Sequence, residues 1–370
     1  MSVARVLAEI ATVEVVTTDF DHVTKERKDR IQVRPIERIV YLTTLPYRSN
    51  VSIVRFFSHV AFSIRAALYF RKNRGRFDIV YVTLPLNVLA WLVLRMAHTQ
   101  TKIVDVIDIW PDVLPFPSRL VKLARPLFAV WRSLFNRAVA RADVMLAVSD
   151  SFLIEASKHV HARCQTSRFY IGAAKLQGLV AKENVLTVVY VGNIGRLYDF
   201  ETLLEVTADL GRDSVQLFIV GDGDRREWLL DQLRQRGVAH QYFGVVYDPG
   251  ELGSILCRAH IGYNGYVNTS AAFSYKANTY FAAGLPILNS MKGDLQNLVT
   301  HHGLGLNFTG GDAITLKQCF AQLNESALIE MSQNSRRFFT AELERTKLRQ
   351  DMLTFLRKCL ESVSNWQPGE

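Results

Sequence analysis

Residues 274–289 read SYKANTYFAAGLPILN. Lys276 lies near the start of this stretch, and the small residues at 282–284 allow close packing at its end. Because Pro286 cannot continue a helix, the pattern predicts a helix followed by a buried strand. The free N–H groups of the first helical turn and the Lys276 ammonium would point at whatever lies above the sheet. The stretch therefore predicts an anion-binding site.

Length and composition indicate a folded protein of more than one domain. The chain has 370 residues, of which 49% are hydrophobic and 21% are charged. This length exceeds what one hydrophobic core usually supports, so we expect two domains. The net charge of +9 favours an anionic partner, which could be nucleic acid, an acidic membrane leaflet or a phosphorylated substrate.

Cysteine spacing and hydropathy bear on the cellular compartment. The four cysteines lie far apart and form no CxxC pair with one another, as is typical of reduced thiols. The best candidate for a membrane span, 84–97, is too short and contains Asn87 and Arg95. The N-terminus does not have the pattern of a signal peptide. We therefore expect a cytoplasmic protein that is soluble or peripherally attached to the inner face of the plasma membrane.

Strands and helices alternate through both halves of the chain. Strands are predicted at 13–17, 39–42, 78–82, 102–107 and 143–148, and again at 187–191, 216–220 and near 242 and 261. Short strand–helix–strand connections indicate parallel pairing and right-handed crossovers. The fold class is therefore α/β, with two doubly wound, Rossmann-like domains.

The predicted domains are residues 1–175, 176–345 and a C-terminal helix at 346–370 that could pack back on the N-terminal domain. The irregular segment 169–184, with Gly172 and Gly178, sets the main boundary. A final helical stretch is predicted at 332–363. An α/β domain normally begins with a strand, whereas this sequence begins with a predicted helix at 3–10. Either a first strand is missing or the sheet is built without it.

Two basic amphipathic segments lie in the N-terminal half. The first is a predicted helix whose apolar face is formed by Ile53, Phe57, Val60, Ile64 and Leu68. The second covers residues 118–142. Each segment either packs its apolar face on the core, with the basic residues in solvent, or contacts anionic lipid headgroups. The presence of two such segments favours a membrane surface.

Two glycine turns follow predicted strands in the C-terminal half. One is Gly192-Asn193-Ile194-Gly195-Arg196, and the other is Gly221-Asp222-Gly223. Glycine turns end strands for purely geometric reasons, so each alone is a weak signal. Arg196, however, directly follows its glycine, where the guanidinium could reach a phosphate. Together with Lys276 it places two cations and a helix N-terminus in one domain, a combination that suits a diphosphate.

Asp108 is the candidate for chemistry in the N-terminal half. It ends a predicted strand, where ligands bind in parallel sheets, and it could orient an incoming hydroxyl or accept its proton. The alternative is an ordinary cap after a strand. For Asp105 we expect a structural hydrogen bond. The histidines lack the spacing of a paired metal site, and neither a GxSxG nor a P-loop string is present.

Several ordered motifs resemble one enzyme family. The strings VYVGNIGR (189–196) and LFIVGDG (217–223), followed by the opening stretch, are similar to the donor half of retaining GT-B glycosyltransferases. The branch that builds bacterial capsules, exopolysaccharides and O-antigens is the most similar. TTDFDH (17–22), VDVIDIWPD (104–112) and AVS (147–149) look like the acceptor domain of that branch. The resemblance covers nearly the whole chain and implies two Rossmann-like domains facing a central cleft.

The resemblance also implies roles for individual residues. Gly192 and Gly195 would form the turn beneath the donor, while Arg196 and Lys276 would bind its diphosphate. These two cations and Asp108 are the catalytic candidates. The expected donor-binding set is Gly192, Asn193, Gly195, Arg196, Gly221, Asp222, Tyr275, Lys276 and Thr279. Such enzymes use no metal or cofactor; cations and a helix dipole stabilise the departing nucleoside diphosphate, and retention proceeds by same-face attack.

The implied reaction moves a sugar from a nucleoside diphosphate to a polyprenyl-diphosphate-linked glycan at an anionic membrane surface. We expect the nucleoside to be uridine.

Two departures from the family pattern stand out. Ala271 and Thr279 occupy the places of two glutamates, the second of which usually holds the nucleotide ribose. Family members also begin with a strand and a glycine-rich turn. Transfer remains the leading hypothesis, and these departures motivate the alternative, a non-catalytic GT-B-like protein in a polysaccharide assembly complex. A nucleic-acid partner is not expected, because no recognised module accompanies the basic residues.

Overall fold

The computed structural model describes residues 3–22, 24–29, 33–49, 52–112, 124–176, 181–267 and 273–362. The chain forms two compact units. Unit 1 comprises Met1–Tyr170 and Arg349–Glu370, and unit 2 comprises Ile171–Leu348. Each unit is built on parallel strands joined by helices, so the α/β class predicted from the sequence is confirmed. Gly178 and Ala271 lie outside the described residues, as does the segment 113–123.

Unit 1 begins with a helix and contains two groups of parallel strands. The strands are β1 (Glu14–Thr18), β2 (Arg38–Leu42), β3 (Ile79–Leu84), β4 (Thr101–Val106), β5 (Val144–Ala147) and β6 (Gln165–Arg168). The helices are α1 (Val3–Leu7), α2 (Ile53–Lys72), α3 (Asn87–Met96), α4 (Arg125–Val139) and α5 (Asp150–Ser157). β1 pairs with β2, and β3, β4, β5 and β6 form a second sheet in that order. β5 is buried at every position, as expected for a central parallel strand covered on both faces.

The apolar face predicted for α2 points away from the core. Ser52 caps the helix by accepting a hydrogen bond from the Arg55 amide, and the buried positions are the small residues Ser58, Ser63, Ala66 and Ala67. Ile53 and Phe57 are 75% and 56% exposed, and Ile64 and Leu68 are exposed by about half. The core-facing interpretation of this stripe is therefore wrong. In the described residues, α2 is also the one helix long and apolar enough to cross a membrane, a criterion that core helices of soluble proteins can also meet.

Unit 2 carries a single sheet of parallel strands. They are β7 (Leu186–Val191), β8 (Val215–Val220), β9 (Ala239–Gly244), β10 (Ile261–Asn264), β11 (Ile287–Asn289) and β12 (Gly305–Asn307). The helices are α6 (Phe200–Leu210), α7 (Arg226–Gln235), α8 (Pro249–Arg258), α9 (Tyr275–Ala282), α10 (Asp294–His302), α11 (Ala313–Gln322) and α12 (Glu325–Phe338). The spatial order is β9-β8-β7-β10-β11-β12. This is the doubly wound order with its switch point between β7 and β10, where the connections reverse direction and ligands bind.

The predicted continuous helix at 332–363 is interrupted. α12 ends at Phe338, a π-helical turn covers Phe339–Leu343, and Glu344 has extended backbone that forms a bridge with Ala173. The last helix, α13 (Arg345–Glu361), then starts, and from Arg349 the chain belongs to unit 1. Its apolar face joins α1, β4 and β5 in one core; the residues are Val6, Leu7, Ile10, Ile103, Val144, Leu146, Met352, Leu353, Leu356, Cys359 and Leu360.

Candidate active site

Two glycine turns stack backbone to backbone at the carboxyl ends of β7 and β8. The Gly192 amide donates to the Val220 carbonyl (2.9 Å), and the Ile194 amide donates to the Asp222 carbonyl (2.8 Å). Gly221 has a φ of +130°, and a Cβ at this position would overlap the Gly192 carbonyl oxygen. Gly221 is therefore required by both conformation and space. The structure thus places the two predicted turns side by side.

The hydroxyl of Tyr280 fixes α9 above the switch point. It donates to the Tyr263 carbonyl (3.0 Å) on β10 and accepts from the Val191 amide (3.0 Å) on β7. Tyr280 is fully buried, so both bonds are shielded from water. The helix that carries Lys276 is consequently held at the junction of the two strands where the sheet order reverses.

Lys276 extends over the first glycine turn. A Cβ at Gly192 would lie 3.1 Å from the Lys276 Cδ, so the turn passes directly beneath the lysine stem. The Lys276 Nζ lies 3.4 Å from the ring centroid of Tyr198, 4.4 Å from that of Tyr266 and 5.1 Å from that of Tyr190. This Nζ is buried and has no hydrogen-bond partner among the described residues. The described part of the site therefore provides no counter-ion for this cation.

Burial sets the charge state of this cluster. It lowers the pKa of Lys276 to about 7, because the ammonium loses water without gaining an anionic partner. The faces of the tyrosine rings favour a higher pKa of Lys276, because an aromatic ring attracts an ammonium. Burial raises the pKa of Tyr266 to about 12, and it also raises the pKa of Tyr198. The tyrosines are thus neutral near pH 7, and an anion that entered would favour the protonated, positively charged form of Lys276.

The start of α9 is not capped by a side chain. The N-cap residue Ser274 donates its hydroxyl to the Asn264 Oδ1 (2.8 Å) and accepts no bond from the first turn. Asn264 in turn donates to Asn289 (2.8 Å), and Asn289 donates to Asn307 (2.8 Å). This row of amides crosses the carboxyl ends of β10, β11 and β12. Ser274 therefore does not occupy the first N–H groups of α9 with its side chain, as helix N-termini that bind anions require.

The remaining predicted donor-binding residues differ in their availability. Arg196 is exposed and forms no ion pair or hydrogen bond with the described residues. Asn193 is also exposed, and its carbonyl accepts from the Tyr190 hydroxyl. Asp222 accepts from the Gly223 amide (2.8 Å) and pairs with Arg226 (3.4 Å), so its carboxylate stabilises its own turn. Gly195 packs against the Asn193 side chain.

Tyr275 and Thr279 lie on α9 with Lys276. Tyr275 is 61% exposed, whereas Thr279 is half-buried, and its hydroxyl has no hydrogen-bond partner among the described residues. Thr279 lies one helical turn after Lys276, so the two side chains share a face of α9. The position at which the family resemblance implies a carboxylate therefore offers one neutral hydroxyl. Ala271, the other departure, is outside the described residues.

Asp108 lies in unit 1, whereas the other candidates lie in unit 2. Its Oδ1 accepts from the Ile109 amide (3.0 Å) and its Oδ2 accepts from the Trp110 indole N–H (3.0 Å). Burial raises the pKa of Asp108, while these two bonds lower it. The carboxylate thus acts as a cap of its own turn and retains free lone pairs. Asp105 forms a structural hydrogen bond, as expected, because the Tyr81 hydroxyl donates to it.

The sequence interpretation did not identify the tyrosines around Lys276. Tyr190 is the penultimate residue of β7, while Tyr198 and Tyr266 follow β7 and β10 and pair with each other through a short bridge. A tyrosine at the end of a predicted strand was the available signal, but it is common in cores. The described residues contain no group of three His, Cys, Asp or Glu side chains that could hold a metal ion.

Comparison with known proteins gives one family match and several structural neighbours. Residues 185–326 match the family described as Glycosyl transferases group 1, and this segment contains all the candidates of unit 2. Sucrose-phosphate synthase (tll1590) from Thermosynechococcus elongatus superposes with a TM-score of 0.71 at 17% identity, over 97% of this chain and 92% of that one. The fold is GT-B.

Two further structural neighbours are a lipopolysaccharide galactosyltransferase and a protein with bound UDP. The lipopolysaccharide outer core galactosyltransferase WaaB, in its apo form, has a TM-score of 0.62 at 14% identity, over 94% of this chain and 99% of that one. Anabaena Alr3699/HepE in complex with UDP has a TM-score of 0.61 at 16% identity, over 87% of this chain and 86% of that one. At these identities the likeness establishes the fold alone. Comparison with curated protein sequences gives no significant match.

Proposed function

We propose that this protein is a glycosyltransferase that uses a nucleoside-diphosphate sugar. The observation that carries the proposal is the unpartnered Lys276 Nζ above the Gly192 turn, at the switch point of unit 2. An anionic ligand there could pair with the Lys276 ammonium and accept hydrogen bonds from the first N–H groups of α9. The guanidinium of Arg196 could also bind it. The family match over 185–326 supports a sugar-nucleotide ligand. UDP in the neighbouring Anabaena structure supports a uridine nucleotide.

The proposed chemistry is sugar transfer with retention of configuration and without a metal ion. The bond between the anomeric carbon and the diphosphate oxygen breaks while the acceptor oxygen bonds to the same face of that carbon. Lys276 and Arg196 stabilise the negative charge that develops on the departing diphosphate. The acceptor hydroxyl loses its proton to the leaving phosphate oxygen.

The acceptor we propose is a polyprenyl-diphosphate-linked glycan at the cytoplasmic face of an anionic membrane, in the synthesis of a surface polysaccharide. The outward-facing stripe of α2 supports this choice, because exposed Ile53, Phe57, Ile64 and Leu68 can enter the headgroup region. Arg71 and Lys72 at the end of the same helix can bind lipid phosphates. The fold likeness to a lipopolysaccharide galactosyltransferase is compatible with this role.

A transfer assay tests the proposal. The purified chain is given a panel of nucleoside-diphosphate sugars and lipid-linked acceptors, and glycan extension is followed by mass spectrometry. We expect transfer by the parent and a loss of at least about tenfold in Lys276→Ala. The matched control is Lys317→Ala, which removes a lysine of α11 that pairs with Asp209. No transfer with any pair, or equal transfer by Lys276→Ala, would refute the assignment.

Thr279 favours a second candidate, a non-catalytic GT-B-like protein of a polysaccharide assembly complex. A hydroxyl in place of a carboxylate would weaken ribose binding, since charged hydrogen bonds contribute about 1.5 to 3 kcal/mol. This candidate predicts that UDP leaves the melting temperature of the protein unchanged. A rise of several degrees at saturating UDP would exclude it, because a ligand stabilises only the state that binds it.

A further inference from the structure

Three neighbouring strands of unit 2 end in asparagines whose side chains form one row. Asn264, Asn289 and Asn307 are the last residues of β10, β11 and β12, and they are register partners across the sheet. Asn264 donates to Asn289 and Asn289 donates to Asn307, both at 2.8 Å. Asn264 and Asn289 are buried, so these hydrogen bonds are shielded from water. We call these three side chains the amide row.

The backbone sets the direction of the hydrogen bonds in the amide row. The Asn289 Nδ2 donates to the Met291 carbonyl (2.9 Å), and the Asn289 Oδ1 accepts from the Met291 amide (3.2 Å). At the far end, the Asn307 Nδ2 donates to the Gln296 carbonyl (3.1 Å), which can only accept. The Nδ2 of Asn264 must therefore face Asn289. Its Oδ1 consequently faces α9 and presents an acceptor to the start of that helix.

Ser274 meets this acceptor with the single proton of its hydroxyl. The hydroxyl donates to the Asn264 Oδ1 (2.8 Å) and lies 3.3 Å from the Tyr266 hydroxyl. The Ser274 backbone (φ −101°, ψ 127°) has the extended conformation of an N-cap residue, yet its side chain accepts from no amide of α9. Ser52 before α2 and Ser149 before α5 are also extended, and each accepts from an amide of its own helix. Ser274 differs because its acceptor is a side chain on another element, the strand β10.

We propose that Asn264 is a positioning residue of the diphosphate site, because it holds the Ser274 hydroxyl away from the first turn of α9. A capping hydroxyl accepts from the same N–H groups that a phosphate oxygen would use, so the two acceptors compete. Lys276, whose buried Nζ has no hydrogen-bond partner among the described residues, lies in this turn. The inference rests on the proposed function, since the ligand concerned is the diphosphate of the nucleotide.

A double-mutant cycle with UDP tests the inference. Calorimetric titration compares the parent, Asn264→Ala, Ser274→Ala and the double variant. Asn264→Ala frees the Ser274 hydroxyl to cap α9, so we expect the affinity for UDP to fall at least about fivefold, the fold-change that corresponds to a typical serine cap. In the Ser274→Ala background no hydroxyl is left to cap the helix. There the Asn264→Ala substitution should change the affinity by less than about twofold.

Amide exchange without UDP separates this role from a purely structural one. In Asn264→Ala, the Lys276 amide should exchange about fivefold more slowly than in the parent, because a capping hydroxyl accepts from the second or third amide of a helix. Loss of a merely structural hydrogen bond would instead loosen the start of α9 and make this exchange faster. The direction of the change therefore distinguishes the two roles of Asn264.

Other results would overturn the inference. Equal weakening of UDP binding by Asn264→Ala in both backgrounds, or faster exchange of the Lys276 amide, would show that Asn264 acts only on stability. If the parent binds UDP and Asn264→Ala binds it equally well, the inference is wrong while the proposed function stands. If the parent does not bind UDP at about 1 mM, both are wrong. If Asn264→Ala does not fold, Asn264→Leu, which has a similar volume and no acceptor, replaces it in both backgrounds.

Discussion

At the scale of single residues, Lys276 combines two features that seldom occur together. Its Nζ is buried, yet it has no anionic partner among the described residues and rests on tyrosine rings. An unpaired buried ammonium is unfavourable for folding, because desolvation is not offset by an opposite charge. An unpaired buried charge of this kind is typical of functional sites, where a bound ligand supplies the opposite charge.

The cost of burying Lys276 should be visible as a pH dependence of stability. With the pKa lowered to about 7 by burial, the folded state binds fewer protons at this lysine than the unfolded state does between about pH 7 and pH 10.5. The destabilisation of the folded state by the buried Lys276 ammonium is therefore complete below pH 7 and decreases as the pH rises from about 7 to 10.5. Lys276→Met, which removes the penalty, should stabilise the protein more at about pH 6 than at about pH 9, by about 2 to 3 kcal/mol.

Chemical denaturation of the parent and Lys276→Met at both pH values measures this difference. Lys317→Met is the control, because Lys317 is exposed and ion-paired. This substitution should not stabilise the protein more at about pH 6 than at about pH 9. The account is wrong if the two variants give the same pH dependence.

Gly221 allows a sharp test of the stacked turns. Gly221→Ala combines a strained backbone with an overlap against the Gly192 carbonyl, so it should destabilise unit 2 by several kcal/mol and abolish nucleotide binding. Gly211→Ala is the matched control: φ is also positive there, but no atom lies within 4 Å of the added Cβ. That control should cost only about 1 kcal/mol. Urea denaturation would contradict the stacking argument if both substitutions cost the same.

The sequence could predict some of these residues and not others. Lys276 and the glycine turns were recognisable because each lies in a short local pattern beside a strand or helix boundary. Tyr190, Tyr198 and Tyr266 were not, because the sheet order of unit 2 brings the segments that follow β7 and β10 to one lysine of α9. Residue type alone did not distinguish them from core tyrosines.

At the scale of elements, α2 shows the limit of amphipathic patterns. Its apolar stripe was identified from the sequence, but periodicity cannot say which face of a helix is covered. The structure buries the small face containing Ser63 and Ala67, because small residues allow the helix to approach its neighbours closely. The larger apolar side chains are left on the outside. An exposed apolar stripe of this extent is typical of an interaction surface.

Substitution of that stripe should weaken membrane binding without unfolding unit 1. Phe57→Ser with Ile64→Ser should lower affinity for phosphatidylglycerol vesicles by at least about tenfold, since each buried methylene contributes about 0.8 kcal/mol. The melting temperature should change little, because both side chains are already exposed. Ile329→Ser on α12, about half exposed, is the control. Cosedimentation with vesicles measures the effect, and unchanged binding would remove α2 from the proposed membrane surface.

The predicted C-terminal helix also shows why element boundaries are difficult. Residues 332–363 are helical in pattern, but tertiary contacts interrupt them at 339–344, where Glu344 forms a bridge with Ala173. The interruption depends on a residue far away in the sequence. Local propensity therefore predicts that these residues are helical, but it does not predict the break between α12 and α13.

At the scale of the whole molecule, strand and helix alternation was sufficient to predict two α/β units. The same alternation predicts crossovers of one hand, which restricts the sheet order to a few possibilities. Substrate identity depends on the shape of the site and was not available from patterns.

The central claim is that the switch point of unit 2 binds a nucleoside diphosphate through Lys276. Calorimetric titration with UDP at about pH 7 tests it most directly, using the parent, Lys276→Ala and the control Lys317→Ala. We predict that the parent and the control bind UDP with equal affinity and that Lys276→Ala binds at least about tenfold more weakly. No binding by the parent at about 1 mM UDP, or unchanged affinity in Lys276→Ala, would contradict the claim.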